Sequence, residues 1–456
     1  MIEKIKELIQ DKKVLILGFG REGQSTYQLI RSVLPVKHLS VADQQEKHEA
    51  AISIDSRDKN LTIKLGTSYL SELKKFDLII KSPGIKLDRK NLKPGTILTS
   101  QTQLFLAYFA QQCIGITGTK GKSTTASLLH HILSEAGKEV VLIGNIGTPA
   151  FSAIDKITKN TIIVFELSAH QLENLGVSPQ LSIFLNLYQE HLDHFGSFEL
   201  YLQAKTNIFA HAKKGGKLIF NLDQAELKNL ITKNSQITTS GFSTKGQKKA
   251  QCFIKNETIQ LNNGEKTSEV IKTDEIKSLI GKHNLYNIMA SLLACSNLGI
   301  SKDQFVKGLQ SFKSLEHRLE YVGEYQSIHF YNDSISTIPE ATIAAVKCLP
   351  ETDTLILGGF DRGINYNKLV QFLTASNIYN LIFMGPAGKR MQSILTETGS
   401  DSKNIFYAAN LEEAIKFVFK HTKAGKICLL SPAASSYDQF KNFEERGHTY
   451  KKMARN

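Results

Sequence analysis

The sequence predicts an α/β protein of three domains, over residues 1–100, 101–314 and 315–456. Three observations carry this. Short apolar runs of strand length alternate with segments whose apolar residues recur at helical spacing. Glycine-rich turns follow two of the strands directly, at Gly18–Gly23 and Gly115–Gly121. The length, 456 residues, is about three times that of an ordinary domain.

Composition supports a soluble globular chain, with 41% apolar and 22% charged residues. A formal charge of +13 admits anionic partners, nucleic acid among them. The Lys and Arg residues are scattered, however, and anionic nucleotide substrates account for a basic surface equally well. The five cysteines, at 113, 252, 295, 348 and 428, form no C-x-x-C pair, so neither a zinc site nor a disulfide framework is expected. Cys113 and Cys428 lie in apolar runs and read as small core residues. The charged N-terminus lacks the apolar core of a signal peptide, and no apolar run approaches membrane-spanning length. A reduced, cytoplasmic protein is expected, without nucleic-acid partner or membrane insertion.

In the first domain Val14–Leu17 is an apolar strand, followed by Gly18-Phe-Gly20-Arg21-Glu-Gly23 and a helix through about Val33. A second strand ends at Asp43, at the distance past Gly23 that a dinucleotide fingerprint requires. The domain is therefore Rossmann-like. A third strand, Leu78–Ile80, runs into Lys81-Ser82-Pro-Gly84. Ligands of open α/β sheets bind at such strand ends. A bound nucleotide is expected, but these glycines do not say which, and a turn serving only packing reads the same way.

The second domain opens on strand Cys113–Ile116 and the loop Gly115-Ile-Thr-Gly118-Thr119-Lys120-Gly121-Lys122-Ser123-Thr124-Thr125. Apolar spacing then gives a helix over Ala126–Ala136, ended by Gly137. A glycine-rich turn between a strand and a helix N-terminus is an anion site. Lys122 can reach the β- and γ-phosphates, and the Ser123 hydroxyl can bind Mg²⁺. The loop departs from the strict P-loop spacing, because Ile116 stands where the first glycine should be. Val140–Ile143 leads to Gly144-Asn145-Ile-Gly147, and Thr161–Phe165 delivers Glu166 at a strand tip, where a carboxylate can reach Mg²⁺. Ile183–Leu185 leads to Glu190-His191-Leu-Asp193-His194, a polar cluster in which His194 reads as exposed. Taken alone, Lys205 reads as a solvated lysine on a helix. Residues 251–264 alternate and turn at Asn263-Gly264, a hairpin signal. Gly281-Lys-His283-Asn284-Leu-Tyr-Asn287 starts a striped helix running to Leu298; its polar residues can cap it or face a nucleotide.

The third domain alternates strands near 328–331, 354–357, 380–384, 404–407 and 426–430 with helices, which predicts a mostly parallel sheet. Its polar clusters all follow strands: Asn332-Asp333-Ser334, Gly358-Gly-Phe-Asp361-Arg362-Gly363 and Ser431-Pro-Ala-Ala-Ser435-Ser436.

Together these stretches resemble the Mur ligase family of peptidoglycan synthesis over essentially the whole chain. The resemblance rests on Gly118-Thr-Lys-Gly121-Lys122-Ser123-Thr124, Glu166-Leu-Ser, His191-Leu-Asp193, Gly281-x-His283-Asn284-x-x-Asn287, His317-Arg318-x-Glu320 and Asn332-Asp333-Ser334. The stretch Ser431-Pro-Ala-Ala-Ser-Ser436-x-Asp438-Gln-Phe-Lys-Asn-Phe443-Glu-x-Arg446-Gly447 is similar to the C-terminal signature of the members that add D-glutamate. The resemblance implies an N-terminal Rossmann-like domain for a UDP-linked substrate, a central P-loop ATPase-like domain and a C-terminal Rossmann-like α/β domain for glutamate. It implies an ATP- and Mg²⁺-dependent amide ligase that works through an acyl phosphate on UDP-N-acetylmuramoyl-L-alanine, as a monomer.

Carried over residue by residue, the catalytic set is Lys122, His191 and Lys205, the last as a carbamate. ATP would meet Gly118, Thr119, Lys120, Gly121, Lys122, Ser123, Thr124, Asn287, Arg318 and Asp333. The metal would meet Ser123, Glu166, His191 and Lys205. The UDP substrate would meet Gly20, Arg21, Asp43, Ser82, Gly84 and Asn145, and glutamate would meet Thr337, Arg362, Ser436 and Phe443. Three positions depart from the family pattern: Ile335 replaces a lysine that helps hold glutamate, Arg362 replaces a lysine, and His170 replaces an aromatic or small residue. The loss of a cation at 335 keeps an L-glutamate-adding ligase open. A folylpolyglutamate-type ligase lacks the 431–447 signature, and an NAD-dependent oxidoreductase leaves the 115–125 loop unexplained.

Overall fold

The computed structural model describes the chain except residues 56, 57, 232–236, 248, 277, 278, 280 and 399–401. Its first sheet holds β1 (Val14–Leu17), β2 (Leu39–Asp43), β3 (Leu61–Leu65), β4 (Leu78–Lys81) and β5 (Ile97–Thr99), in the order β3-β2-β1-β4-β5. Every pair is parallel. The order reverses between β1 and β4, so the crevice beyond their C-terminal ends is the place for a ligand. It lies between the Gly18–Gly20 turn and Ser82–Gly84. The edge strands β3 and β5 escape the sequence reading because they are short and mostly half-exposed.

The turn after β1 is tight. Gly18 has φ +90°, and a Cβ on Gly23 would lie 2.0 Å from the Gly18 carbonyl oxygen. Gly23→Ala is therefore expected to lower stability by about 1–3 kcal/mol, read as a fall in the melting temperature. An unchanged transition would show that the helix can retreat from the turn.

The central sheet holds β6 (Cys113–Thr117), β7 (Val140–Gly144), β8 (Ile162–Glu166), β9 (Leu181–Phe184), β10 (Lys217–Asn221), β11 (Thr238–Ser243), β12 (Cys252–Lys255), β13 (Thr258–Asn262) and β14 (Thr267–Lys272). Their order is β14-β13-β12-β11-β10-β9-β6-β8-β7. Strand β6 is buried along its length and parallel to both β8 and β9, as expected of a strand covered on both faces. Residues 251–264 differ from the expectation of one strand turning at Asn263-Gly264. They form two strands joined at Asn256-Glu257, both with positive φ (49° and 56°). Asn263-Gly264 then leads into β14. An Asn-Glu pair gives little turn signal, because the second residue carries a Cβ that disfavours positive φ.

The last sheet holds β15 (Glu320–Tyr325), β16 (Ile328–Asn332), β17 (Thr352–Gly358), β18 (Asn380–Met384), β19 (Asn404–Ala408) and β20 (Ile427–Leu430), in the order β15-β16-β20-β17-β18-β19. Only the β15 pairing is antiparallel. The five strands expected from the sequence are all present. The polar clusters after β16, β20 and β17 leave three neighbouring strands at one edge.

Two compact units result. One comprises Met1–Ile276 with His283–Phe312, the other Lys277–Lys282 with Lys313–Asn456. The first two sheets thus share a unit, and polar bonds join them, those of Gln101 buried. Gln101 Nε2 donates to Ser25 Oγ (2.7 Å) and Thr26 Oγ1 (2.9 Å) on the helix after β1. Gln171 Nε2 donates to Glu22 Oε1 (2.7 Å), and the Arg21 guanidinium donates to the Gly147 carbonyl. No described helix is long and apolar enough to cross a membrane.

Candidate active site

The loop after β6 is shaped by its glycines. Gly121 is left-handed (φ +85°) and precedes the helix Lys122–Glu135. A Cβ there would sit 2.4 Å from Asn287 Oδ1. Asn287 is buried; its Nδ2 donates to Asn284 Oδ1 (2.8 Å) and its Oδ1 accepts from Thr125 Oγ1 (3.2 Å). Asn287 thus packs against the glycine-rich loop and the first turn of its helix. The far side is fixed to the segment after β9: Thr119 N donates to Asn186 O (3.0 Å), Lys120 N to Asn186 Oδ1 (2.8 Å), and Asn186 Nδ2 to Lys120 O (2.9 Å). The loop is therefore held in shape with its helix N-terminus available to an anion.

Two lysines converge on one loop carbonyl. Lys122 Nζ donates to Gly118 O (2.9 Å) and Thr119 O (3.0 Å). Lys205 Nζ donates to Gly118 O (2.8 Å) and Thr117 Oγ1 (3.4 Å). Lys205 is 1% exposed, which corrects the reading of it as a solvated helix lysine. Its helix, Phe198–Ala210, buries Tyr201, Ala204, Ile208 and Phe209. Position 205 falls on that stripe, a signal the sequence carried. Burial, reinforced by the neighbouring Lys122 charge, pushes its amine well below the ordinary lysine range, since a low-dielectric site disfavours the charged form.

Glu166 ends β8, beside Ile116 in the sheet register. It is 0% exposed. Oε1 accepts from Asn145 Nδ2 (2.8 Å), whereas Oε2 has no partner. An unpaired buried carboxylate oxygen is costly. Together with the Ser123 hydroxyl beside the loop, it fits a hard divalent cation such as Mg²⁺. His191 is half-exposed with a left-handed backbone (φ 58°), a conformation that costs energy and collects at functional sites. His194 does not meet the expectation of exposure. Its side chain is 9% exposed, with Nε2 3.2 Å from Glu173 Oε2, because it packs against His170 (ring centroids 4.5 Å) and Phe195. His170 also lies 5.0 Å from the His191 ring. Burial and the neighbouring histidines push it down to about 4.

Of the residues expected at the UDP substrate, Gly20 caps the helix Arg21–Val33, Ser82 Oγ donates to Gly18 O (3.0 Å), and Gly84 has φ +82°. Asp43 Oδ2 accepts from Phe19 N (2.7 Å), so its carboxylate shapes the glycine turn. All lie at the C-terminal edge of the first sheet.

In the second unit Thr337 O accepts from Arg362 Nη2 (3.1 Å). Ser436 is buried, and Phe443 opens the helix Phe443–Arg455. Arg318 is exposed. Asp333 is buried, accepting from Ser431 Oγ (2.8 Å) and Leu319 N (3.2 Å), and burial pushes its carboxyl up to about 6. Glu316, His317 and His448 lie close enough to share a metal ion. However, Asn332 Nδ2 donates to both Glu320 Oε2 and His317 Nδ1 (2.9 Å each). Nδ1 is thus the acceptor and Nε2 carries the hydrogen, leaving the ring no free lone pair. Sequence reasoning assigned no role to Arg446, which is buried at the junction of these loops.

Known proteins resemble this chain over nearly its whole length. Residues 116–295 match the Mur ligase middle domain, and residues 317–434 match the Mur ligase, glutamate ligase domain. A UDP-N-acetylmuramoylalanine–D-glutamate ligase of Clostridium tetani is 32% identical over 465 aligned positions, covering 99% of this chain and 98% of that one. The ligase of the same name from Listeria monocytogenes serotype 4b is 34% identical, covering 97% and 96%. Among solved structures, a MurF ligase from Thermotoga maritima in complex with ADP superposes with a TM-score of 0.57 at 17% identity, covering 98% of this chain and 96% of that one. At that identity the likeness speaks for the fold.

Proposed function

The chain belongs to the Mur ligase family, and on that premise we propose that it joins D-glutamate to UDP-N-acetylmuramoyl-L-alanine with cleavage of ATP. The step serves peptidoglycan precursor synthesis in the cytoplasm, and through it cell shape and division. The observation that carries the reading is the pair of lysines on the Gly118 carbonyl, one on the helix that opens at the phosphate loop and one buried, its amine pushed well below the ordinary lysine range by burial.

The loop N–H groups and Lys122 hold the phosphates of ATP, with Asn287 bracing the loop. Ser123 and Glu166 would hold one Mg²⁺, and His191 with Lys205 a second. Bound there, the metal neutralises phosphate charge. A neutral buried amine is the form that adds CO₂, so Lys205 suits conversion to a carbamate with oxygen ligands. The carboxylate of the UDP-linked substrate attacks the γ-phosphorus and ADP leaves. The glutamate amine then attacks the acyl carbon and phosphate leaves. Gly20, Arg21, Asp43, Ser82, Gly84 and Asn145 are proposed for the UDP substrate. Arg318 and Asp333 are proposed for ATP, and Thr337, Arg362, Ser436 and Phe443 for glutamate.

The test supplies UDP-N-acetylmuramoyl-L-alanine, ATP and Mg²⁺ and compares phosphate release across amino acids. D-Glutamate is expected to give the largest rate. A preference for L-glutamate would assign the chain to the other stereochemistry, which the loss of a lysine at Ile335 leaves open. No release with either isomer would overturn the reading.

A further inference from the structure

The helix Phe443–Arg455 carries a side chain that the reaction scheme leaves without a role. Arg446 is 1% exposed and forms no ion pair among the described residues; the Asp438 carboxylate acts on it only from a distance. Its hydrogen bonds go to loops from three different strands. Nε donates to Ser334 Oγ (3.0 Å) and Nη2 to Ser334 O (2.8 Å), after β16. Nη2 also donates to Ala434 O (3.1 Å), after β20, and Nη1 reaches Gly358 O (3.5 Å), at the end of β17. Ser334 Oγ in turn donates to Phe443 O (2.8 Å).

The packing around this fork is close. A Cβ on Gly359 would lie 2.1 Å from Ser435 O and 3.1 Å from Arg446 Nη1. The loops also bond one another: Ala433 N donates to Ser336 O (2.9 Å) and Phe360 N to Ser435 O (2.8 Å). Burying a guanidinium without a carboxylate is costly. A core that needed only volume would hold an apolar side chain there. What the fork supplies is planar geometry: five donors in fixed directions can tie carbonyls on separate loops, which a lysine ammonium cannot match.

The residues proposed above for glutamate stand on the same loops, with Thr337 after β16, Arg362 after β17, Ser436 after β20 and Phe443 at the helix start. We propose that Arg446 is a positioning residue for the amino-acid acceptor pocket, setting the spacing of the three strand-end loops that hold the attacking amino acid. The inference rests on the functional reading above. A small displacement of binding groups is enough to lose much of the acceptor's productive binding.

The test compares Arg446→Met, Arg446→Lys and Ser334→Ala with the wild type in steady-state kinetics and thermal melting. Arg446→Met is expected to raise KM for D-glutamate roughly tenfold or more, with KM for ATP and for the UDP substrate changed less than about twofold. Phosphoryl transfer to the UDP substrate without amino acid, followed by borohydride trapping of the acyl phosphate, should survive. Arg446→Lys should fall between Met and wild type. An unchanged acceptor KM in Arg446→Met overturns the proposal, as does a parallel rise of all three KM values. If Arg446→Met does not fold, Ser334→Ala decides: a raised acceptor KM at an unaltered melting temperature supports the proposal, and an unchanged KM overturns it. If the wild type turns over another amino acid and not D-glutamate, the functional reading fails, and the same split is read with that amino acid.

Discussion

Lys122→Ala is expected to abolish phosphate release while leaving the fold intact. In phosphoryl transfer the protein contributes position and charge, not a covalent group, so loss of the lysine on the phosphates reduces turnover by about 10³-fold or more. The structural effect should be small. Lys122 Nζ bonds two loop carbonyls, Gly118 O and Thr119 O, and a typical hydrogen bond is worth about 1 kcal/mol net. The loop also keeps its anchors at Asn186 and Asn287. Phosphate release, circular dichroism and thermal melting measured together check this. Wild-type turnover in the variant would remove the loop from the reaction.

Lys205→Ala is expected to be nearly inactive and partly restored by short carboxylates such as acetate. Its amine is buried beside Thr117 and Gly118, and burial with the nearby Lys122 charge pushes it well below the ordinary lysine range, which favours the neutral form. A plain ammonium would repel a cation; a carbamate offers it oxygen. Alanine leaves room that a small carboxylate can enter, supplying the missing oxygens. Wild-type activity should also fall when CO₂ and bicarbonate are stripped and recover when bicarbonate is added, while the alanine variant should not respond. Acid pH opposes the modification, because it favours the protonated amine, which cannot add CO₂; activity should therefore decline as pH falls through the depressed lysine range. Full activity of Lys205→Ala without additive would return Lys205 to a packing role.

Much of the candidate site was legible before the fold. Strands β1, β6 and β8, the glycine turns behind them and Glu166 at the tip of β8 are read from runs of neighbouring residues. Strand, turn and helix signals act over a few positions. The reading erred where a charged residue was equated with solvent. Lys205 lies on the buried stripe of its helix with Tyr201, Ala204 and Ile208. Arg446 does the same on its own helix with Gly447, Tyr450 and Ala454. In both helices the stripe is apparent once the cation is allowed to belong to it. His194 offered no such pattern: its burial depends on His170 and Glu173, which lie on a different segment.

By itself the sequence determined most of the strand and helix succession and the strand–turn–helix form of the 115–125 loop, which is that of an anion site. It also determined the three polar clusters after β16, β17 and β20. Each follows from local backbone preference and hydrophobic spacing. Only the tertiary structure decided which of these meet. Sheet order sets β8 beside β6 and β20 between β16 and β17, and no local signal encodes that order. From it follow the unpaired Glu166 oxygen, the buried Lys205 amine and the Arg446 fork, because burial and partner identity arise from segments far apart in the chain.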